Sequence, residues 1–206
     1  MTISLTASQL AYERNEQAIF TNINFSLQAG EILQVTGDNG SGKTTLLRLL
    51  TGLLSPTAGN IRWCEQIIAD NPVNYQENMF YLGHKPGVKM ELTAYENLNY
   101  TTALTATKTD ITLLQALTQV GLAKHEDRFT YQLSAGEQRR LALAKLLIVT
   151  AKLWILDEPF TALDNLGIRL IEEFIAQHLQ AGGMVVLTSH QLYELPNIQQ
   201  KKLILA

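Results

Sequence analysis

Three short stretches of this chain hold residue types at spacings that could handle phosphate. Gly37-Asp38-Asn39-Gly40-Ser41-Gly42-Lys43-Thr44 fits G-x-x-x-x-G-K-[ST] in full, with Thr45 directly behind it. Glycines let successive backbone N–H groups turn inward around an anion. A helix that starts at this point aims its positive end at the same anion. Lys43 would add a point charge for terminal phosphates, and the Thr44 hydroxyl would sit on Mg²⁺. Leu153-Trp154-Ile155-Leu156-Asp157-Glu158-Pro159 places two acids after a short, wholly apolar run. Asp157 suits a water-mediated hold on the metal beside Thr44, and Glu158 can take a proton from an attacking water as general base. Leu133-Ser134-Ala135-Gly136-Glu137 opens a helical pattern with a serine cap and a glycine. Its free N–H groups make a second anion-facing helix start.

The segments around these stretches must place them. Ile3–Leu10 and Ile19–Leu27 alternate apolar and polar residues and read as half-buried antiparallel strands. Glu31–Val35 reads as a strand entering the glycine loop, and Thr44–Leu50 as the helix leaving it, with Gly52 as its stop. Strand before and helix after is the context that gives the loop motif its specificity. From Leu92 the period becomes helical. Thr93 with Glu96 and Ser134 with Glu137 are capping boxes. A helix is expected from Asp110 with Leu113, Leu114, Leu117 and Val120 as its buried stripe and Gly121 as its end, and another over Gln138–Val149. Asp164–Gln180 reads as an amphipathic helix, and Met184–Leu187 as a buried strand. Strands and helices alternating around a glycine loop imply an α/β fold with a parallel core. An antiparallel β subdomain precedes it, and a helical lobe is inserted.

Composition limits the remaining options. The chain has 206 residues, a net charge of −3 and one cysteine, Cys64. The acidic balance argues against nucleic acid as a partner, because such binding needs a basic face. A single cysteine excludes an intrachain disulfide. No apolar run reaches the roughly 20 residues a spanning helix needs, since Lys145 and Lys152 interrupt the most apolar stretch. The first ten residues lack a positive region and a long apolar core, so no secretory signal is expected.

The order and spacing of the three motifs resemble the ATP-binding subunits of ABC transporters, over essentially the whole chain. The resemblance implies a single P-loop ATPase domain of ABC type. Residues 1–85 and 151–206 would form its nucleotide-binding core and residues 86–150 a helical subdomain. It implies ATP and Mg²⁺ as cofactors and a head-to-tail homodimer. The signature Leu133, Ser134, Ala135, Gly136 and Glu137 of one copy would cap the ATP on the phosphate loop of the other. It further implies a D-loop aspartate at Asp164 and a γ-phosphate-sensing histidine at His190. By itself, His190 is a histidine at a strand end. Tyr12 stands where members of the family often stack an aromatic on adenine, and is equally a packed strand tyrosine. Two departures bear on chemistry: Glu137 replaces the usual Gln, and His84, in Tyr81-Leu82-Gly83-His84, occupies the position of the Q-loop glutamine. Neutral histidine donates or accepts one hydrogen bond and so can substitute.

Gly83–Leu98 and Trp154–Ala162 resemble the branch of that family serving cytochrome c maturation. This implies a peripheral subunit on the cytoplasmic face of the bacterial inner membrane. It would work with the membrane subunits CcmB, CcmC and CcmD in heme export or in release of the heme-loaded chaperone CcmE. Another small-molecule ABC transporter and a non-transport ABC ATPase remain the alternatives. Nothing in the residues marks a heme site, since His84, His125 and His178 are scattered, with His178 expected on the exposed face of its helix.

Overall fold

The structure is a computed structural model that describes residues 3–108, 110–189, 194–195, 198 and 200–205. Strands β1 (Ser4–Arg14) and β2 (Gln17–Gln28) form an antiparallel hairpin with Leu5 opposite Leu27 and Ala7 opposite Phe25. Its two-residue turn uses Asn15 and Glu16 at φ 52° and 62°, the positive values that tight hairpins need. β4 (Ala58–Trp63) pairs with the other edge of β1, and the two-residue β5 (Gln66–Ile67) follows it. The antiparallel sheet therefore runs β2-β1-β4-β5.

A second, parallel sheet carries the site. Its strands are β3 (Ile32–Thr36), β6 (Met79–Leu82), β7 (Leu153–Leu156), β8 (Met184–Thr188) and β9 (Gln200–Ile204), in the order β6-β7-β8-β3-β9. β3, β7 and β8 are buried along their whole length, which is why their sequences are apolar runs rather than alternations. Successive side chains of a strand point to opposite faces, and the core divides accordingly. Leu153, Ile155, Met184, Val186, Leu33 and Val35 pack toward α1 (Lys43–Leu50) and the antiparallel sheet. Trp154, Leu156, Val185, Leu187 and Ile32 pack toward α3 (Ala94–Leu104), α4 (Leu113–Gln119), α5 (Ala135–Ile148) and α6 (Asn165–Gln180). A further short helix, α2 (Pro72–Glu77), precedes β6. Among the described residues no helix is long and apolar enough to cross a membrane.

The expected elements are present with shifted edges. α4 starts from Thr112, whose hydroxyl and Gln115 make the capping box, and not from Asp110. With that register, Ala116, Leu117 and Val120 are buried while Leu114 is 49% exposed, so Leu114 does not belong to the buried stripe. α5 begins at Ala135 because Ser134 is its cap, three residues before the expected Gln138. His178 also departs from expectation. Its ring stacks on Trp154 at 3.8 Å with 6° between planes, and its Nε2 is buried without a hydrogen-bond partner. Burial pushes its pKa down to about 4. Gly183 makes room for it, since a Cβ there would come within 2.3 Å of the imidazole.

Candidate nucleotide site

The carboxyl ends of parallel strands are where open α/β sheets hold ligands. Four such ends meet here: the loop after β3, Gly83 and His84 after β6, Asp157 and Glu158 after β7, and Thr188 closing β8.

Residues 37–42 cross from β3 to α1 with little room to spare. Gly37 has φ 153°, and a Cβ there would come within 2.3 Å of the Leu205 carbonyl oxygen and 2.5 Å of Ser41 Oγ. Gly42, at φ 96°, caps α1, and a Cβ there would meet Ile19 and Phe20 of β2. The β1–β2 hairpin therefore leans on this loop, and Tyr12 pairs with Phe20 across it. Tyr12 is half-buried and packs against the neighbouring core. Lys43 is buried, and its Nζ donates to the carbonyls of Gly37 at 2.6 Å and Asp38 at 2.9 Å. Ser41 Oγ is buried without a hydrogen-bond partner. A buried hydroxyl with no acceptor and an ammonium held by loop carbonyls suit an incoming phosphate, which would supply acceptors to both. Asn39, Gly40, Thr44 and Thr45 complete the loop and the first turn of α1.

Thr44 Oγ1 lies 3.1 Å from Asp157 Oδ2, although 113 positions separate the residues. Asp157 is 2% exposed, and its other oxygen accepts from Thr188 Oγ1 at 2.7 Å. One hydroxyl and one carboxylate make a hard oxygen pair of the kind Mg²⁺ takes together with waters and phosphate oxygens. No group of three or more His, Cys, Asp or Glu converges as a metal cage among the described residues.

Glu158 has φ 49°, a left-handed conformation uncommon outside glycine. Its N–H donates to Thr188 Oγ1 at 2.9 Å, so Thr188 fixes both acids. His84 Nδ1 lies 3.5 Å from Glu158 Oε2, with the histidine side chain 62% exposed. The expected Q-loop position thus faces the expected base directly.

The signature turn has the predicted capping box. Glu137 Oε2 accepts both Ser134 N–H and Ser134 Oγ–H at 2.8 Å. These bonds from Ser134, aided by the charge of His125, hold the Glu137 carboxyl below the usual range. His125 Nδ1 sits 3.0 Å from the other Glu137 oxygen. Hence the extra negative charge of Glu137 is tied back into its own chain. A Cβ at Gly136 would lie 3.5 Å from the Ala162 carbonyl, so the signature start borders the turn before Asp164. Asp164 caps α6 through the N–H of Gly167, and its other oxygen is 3.7 Å from Arg140. Leu133 is buried, anchoring the turn. His190 lies outside the described residues.

Thr188, Arg139 and Arg140 were not singled out from sequence, and His125 was named only as a scattered histidine. Thr188 reads there only as the polar end of an apolar strand, and the arginines as ordinary charges following a capping box.

A strand-loop-helix phosphate cradle, a carboxylate pair beside its threonine and a separate serine-capped helix on an inserted lobe define an ATP-binding cassette. The ABC transporter family pattern matches residues 20–161. The chain is 49% identical over 187 residues to the "Cytochrome c biogenesis ATP-binding export protein CcmA" of Escherichia coli (strain K12), covering 91% of this chain and 89% of that protein. It is 48% identical, with the same coverage, to the protein of that name from Shigella flexneri. Among solved structures, an ATP-binding subunit of an ABC transporter superposes with a TM-score of 0.82 at 26% identity, covering 91% of this chain and 80% of the other. The cbiO1 protein of Clostridium perfringens, part of an ABC transporter complex, shares the fold with a TM-score of 0.73 at 24% identity, covering 91% and 78%. The chain belongs to the ABC transporter family of ATP-binding proteins, and within it to the CcmA branch. As a member of that family it binds and hydrolyses ATP.

Proposed function

We propose that the chain is the ATP-hydrolysing subunit of an ABC transporter complex in cytochrome c maturation, coupling ATP hydrolysis to heme export or to release of the heme-loaded chaperone CcmE. The observation that carries this reading is 49% identity over 91% of the chain to a curated CcmA. Its partners would be a second copy of itself and the membrane subunits CcmB, CcmC and CcmD, at the cytoplasmic face of the inner membrane. Residues 1–85 and 151–206 would act as the nucleotide-binding core and residues 86–150 as the lobe that presents the signature.

The residues take distinct roles in this scheme. The N–H groups of residues 37–42 surround the phosphates, and Lys43 exchanges its bonds to the Gly37 and Asp38 carbonyls for phosphate oxygens. Thr44 and Asp157 would hold Mg²⁺, which when bound neutralises charge on the phosphates. Glu158, pinned through its main chain, orients and deprotonates the attacking water, and His190 contacts the γ-phosphate. Tyr12 stacks on adenine. Ser134 and Gly136 of one copy reach the γ-phosphate held by the other, with Asp164 at the same interface. ATP thus draws two copies together by collecting donors from both, and hydrolysis removes the bridge.

Affinity purification of the tagged chain in mild detergent, followed by identification of co-purifying proteins, tests the transport role. CcmB and CcmC in the eluate are expected. An eluate with ribosomes or DNA and without integral membrane proteins would overturn it.

A further inference from the structure

Resting on that reading, we infer that Arg139 is the positioning residue that holds the catalytic Glu158, and that it ties this base to the signature helix of the same chain. Arg139 lies in α5, five positions after Ser134, and is 3% exposed. Burying a guanidinium requires strong compensation. Here the hydrogen bonds of both Nη groups go to main-chain oxygens, while Nε is buried without a partner. Nη1 donates to Gly83 O at 3.2 Å and His84 O at 3.3 Å. Nη2 donates to Asp157 O at 3.3 Å and Glu158 O at 2.8 Å. One side chain therefore joins the ends of β6 and β7, the two strand ends that carry His84 and the acid pair.

The bond to Glu158 is the shortest of the set and falls on a residue in the left-handed region. A non-glycine residue persists there only when its surroundings over-determine it. Thr188 holds the Glu158 N–H, and Arg139 together with the Thr161 N–H holds its C=O, so the peptide units on both sides of this residue are fixed. The Asp157 and Glu158 charges favour the buried guanidinium, although burial still lowers its pKa. The planar fork can meet carbonyls on two different strands at once, which a lysine ammonium on a flexible stem does less well. Because Ser134 caps α5, a pull on the signature by a nucleotide held on the partner copy is transmitted through Arg139 to this copy's own Glu158 and His84. Each site's base is thereby made responsive to the occupancy of the other site.

The test uses Arg139→Met, Arg139→Lys, Glu158→Gln and the double variant Arg139→Met/Glu158→Gln, in the complex with its membrane partners. Each is assayed for kcat and KM of ATP hydrolysis and for binding of a fluorescent ATP analogue to the dilute chain. Misplacing a catalytic group by about 1 Å can cost on the order of 100-fold in rate. Arg139→Met should therefore lower kcat by about 10- to 100-fold while KM and analogue affinity stay within about two-fold. Arg139→Lys should recover part of the loss, and it keeps the test open if the methionine variant does not fold. Adding Arg139→Met to Glu158→Gln should cost no further activity, because both act through one group. Arg139 variants at wild-type kcat, with Glu158→Gln inactive, overturn the role of Arg139 alone. So does a KM that rises in step with the fall in kcat. A Glu158→Gln variant at wild-type turnover would instead overturn the assignment of the base.

Discussion

Replacing Thr188 by valine removes one hydroxyl and almost no volume. That hydroxyl, on a residue with no exposed surface, donates to Asp157 Oδ1 at 2.7 Å and accepts from the Glu158 N–H at 2.9 Å. A hydrogen bond to a charged group is worth about 1.5–3 kcal/mol net, and a buried donor left without an acceptor costs about 1–3 kcal/mol. Glu158 is only partly buried, so water can relieve some of the second cost. The two effects share one atom and do not simply add, which leads to a destabilisation of about 3 kcal/mol. For a chain of this size that corresponds to a fall in Tm of roughly 6–12 °C. Thermal unfolding of Thr188→Val beside Thr188→Ser checks the figure, with serine expected to restore most of the loss. ATPase assays on the same proteins should show a larger fall in kcat than in nucleotide affinity, because Lys43 and residues 37–42 are untouched. A valine variant that melts within 1–2 °C of wild type (less than about 0.5 kcal/mol) would refute the reasoning that Thr188 is the shared anchor of both acids.

Other predictions address the loop, the signature and the far side of the sheet. Gly37→Ala should weaken ATP binding at least about ten-fold, since its Cβ would overlap both Leu205 O and Ser41 Oγ and distort the phosphate cradle; titration with a fluorescent ATP analogue measures this. Ser134→Ala should leave analogue binding to the dilute chain unchanged and lower turnover of the assembled complex. Gly183→Ala should destabilise by about 1–2 kcal/mol by displacing His178 from Trp154, and this cost should largely vanish in a His178→Ala background. His178 also sets a pH dependence. Its folded pKa of about 4 lies below the ordinary 6.5, so the unfolded chain binds the extra proton first and stability falls as pH drops from about 6.5 toward 4. The full effect is roughly 3 kcal/mol, read as a slope in denaturant midpoints that His178→Phe should flatten.

Local signals made much of this structure legible in advance. The phosphate loop, the capping boxes at Thr93 and Ser134 and the apolar strands β7 and β8 each declare themselves within a few residues, because glycine geometry, cap hydrogen bonds and full burial act over that range. α2 had such a signal in Asn71 and Pro72, its cap and first position, but six residues are too few for a helical period to emerge. The helix expected from Asp110 starts only after Thr112, so Leu114 falls in its first turn, where it is 49% exposed although it shares the spacing of Leu117 and Val120. Long-range partners were not legible. Arg139 follows a capping box like any surface charge, and only the approach of β6 and β7 makes it the group that holds their ends together. His178 sits on a helix with an exposed face, and its burial depends on Trp154 and on the absence of a side chain at Gly183.

The central claim is that neither copy holds a whole site. Mixing two inactive variants tests it most directly: Lys43→Ala, which lacks the phosphate grip, and Ser134→Ala, which lacks the cap. In a mixed pair the intact loop of one chain meets the intact signature of the other. An equal mixture in the assembled complex should regain turnover up to a ceiling of about a quarter of wild type, from random pairing with one good site per mixed pair, and fall below that ceiling as far as the good site's base depends on the occupancy of the dead one. A mixture that never exceeds the two variants assayed apart would contradict the account.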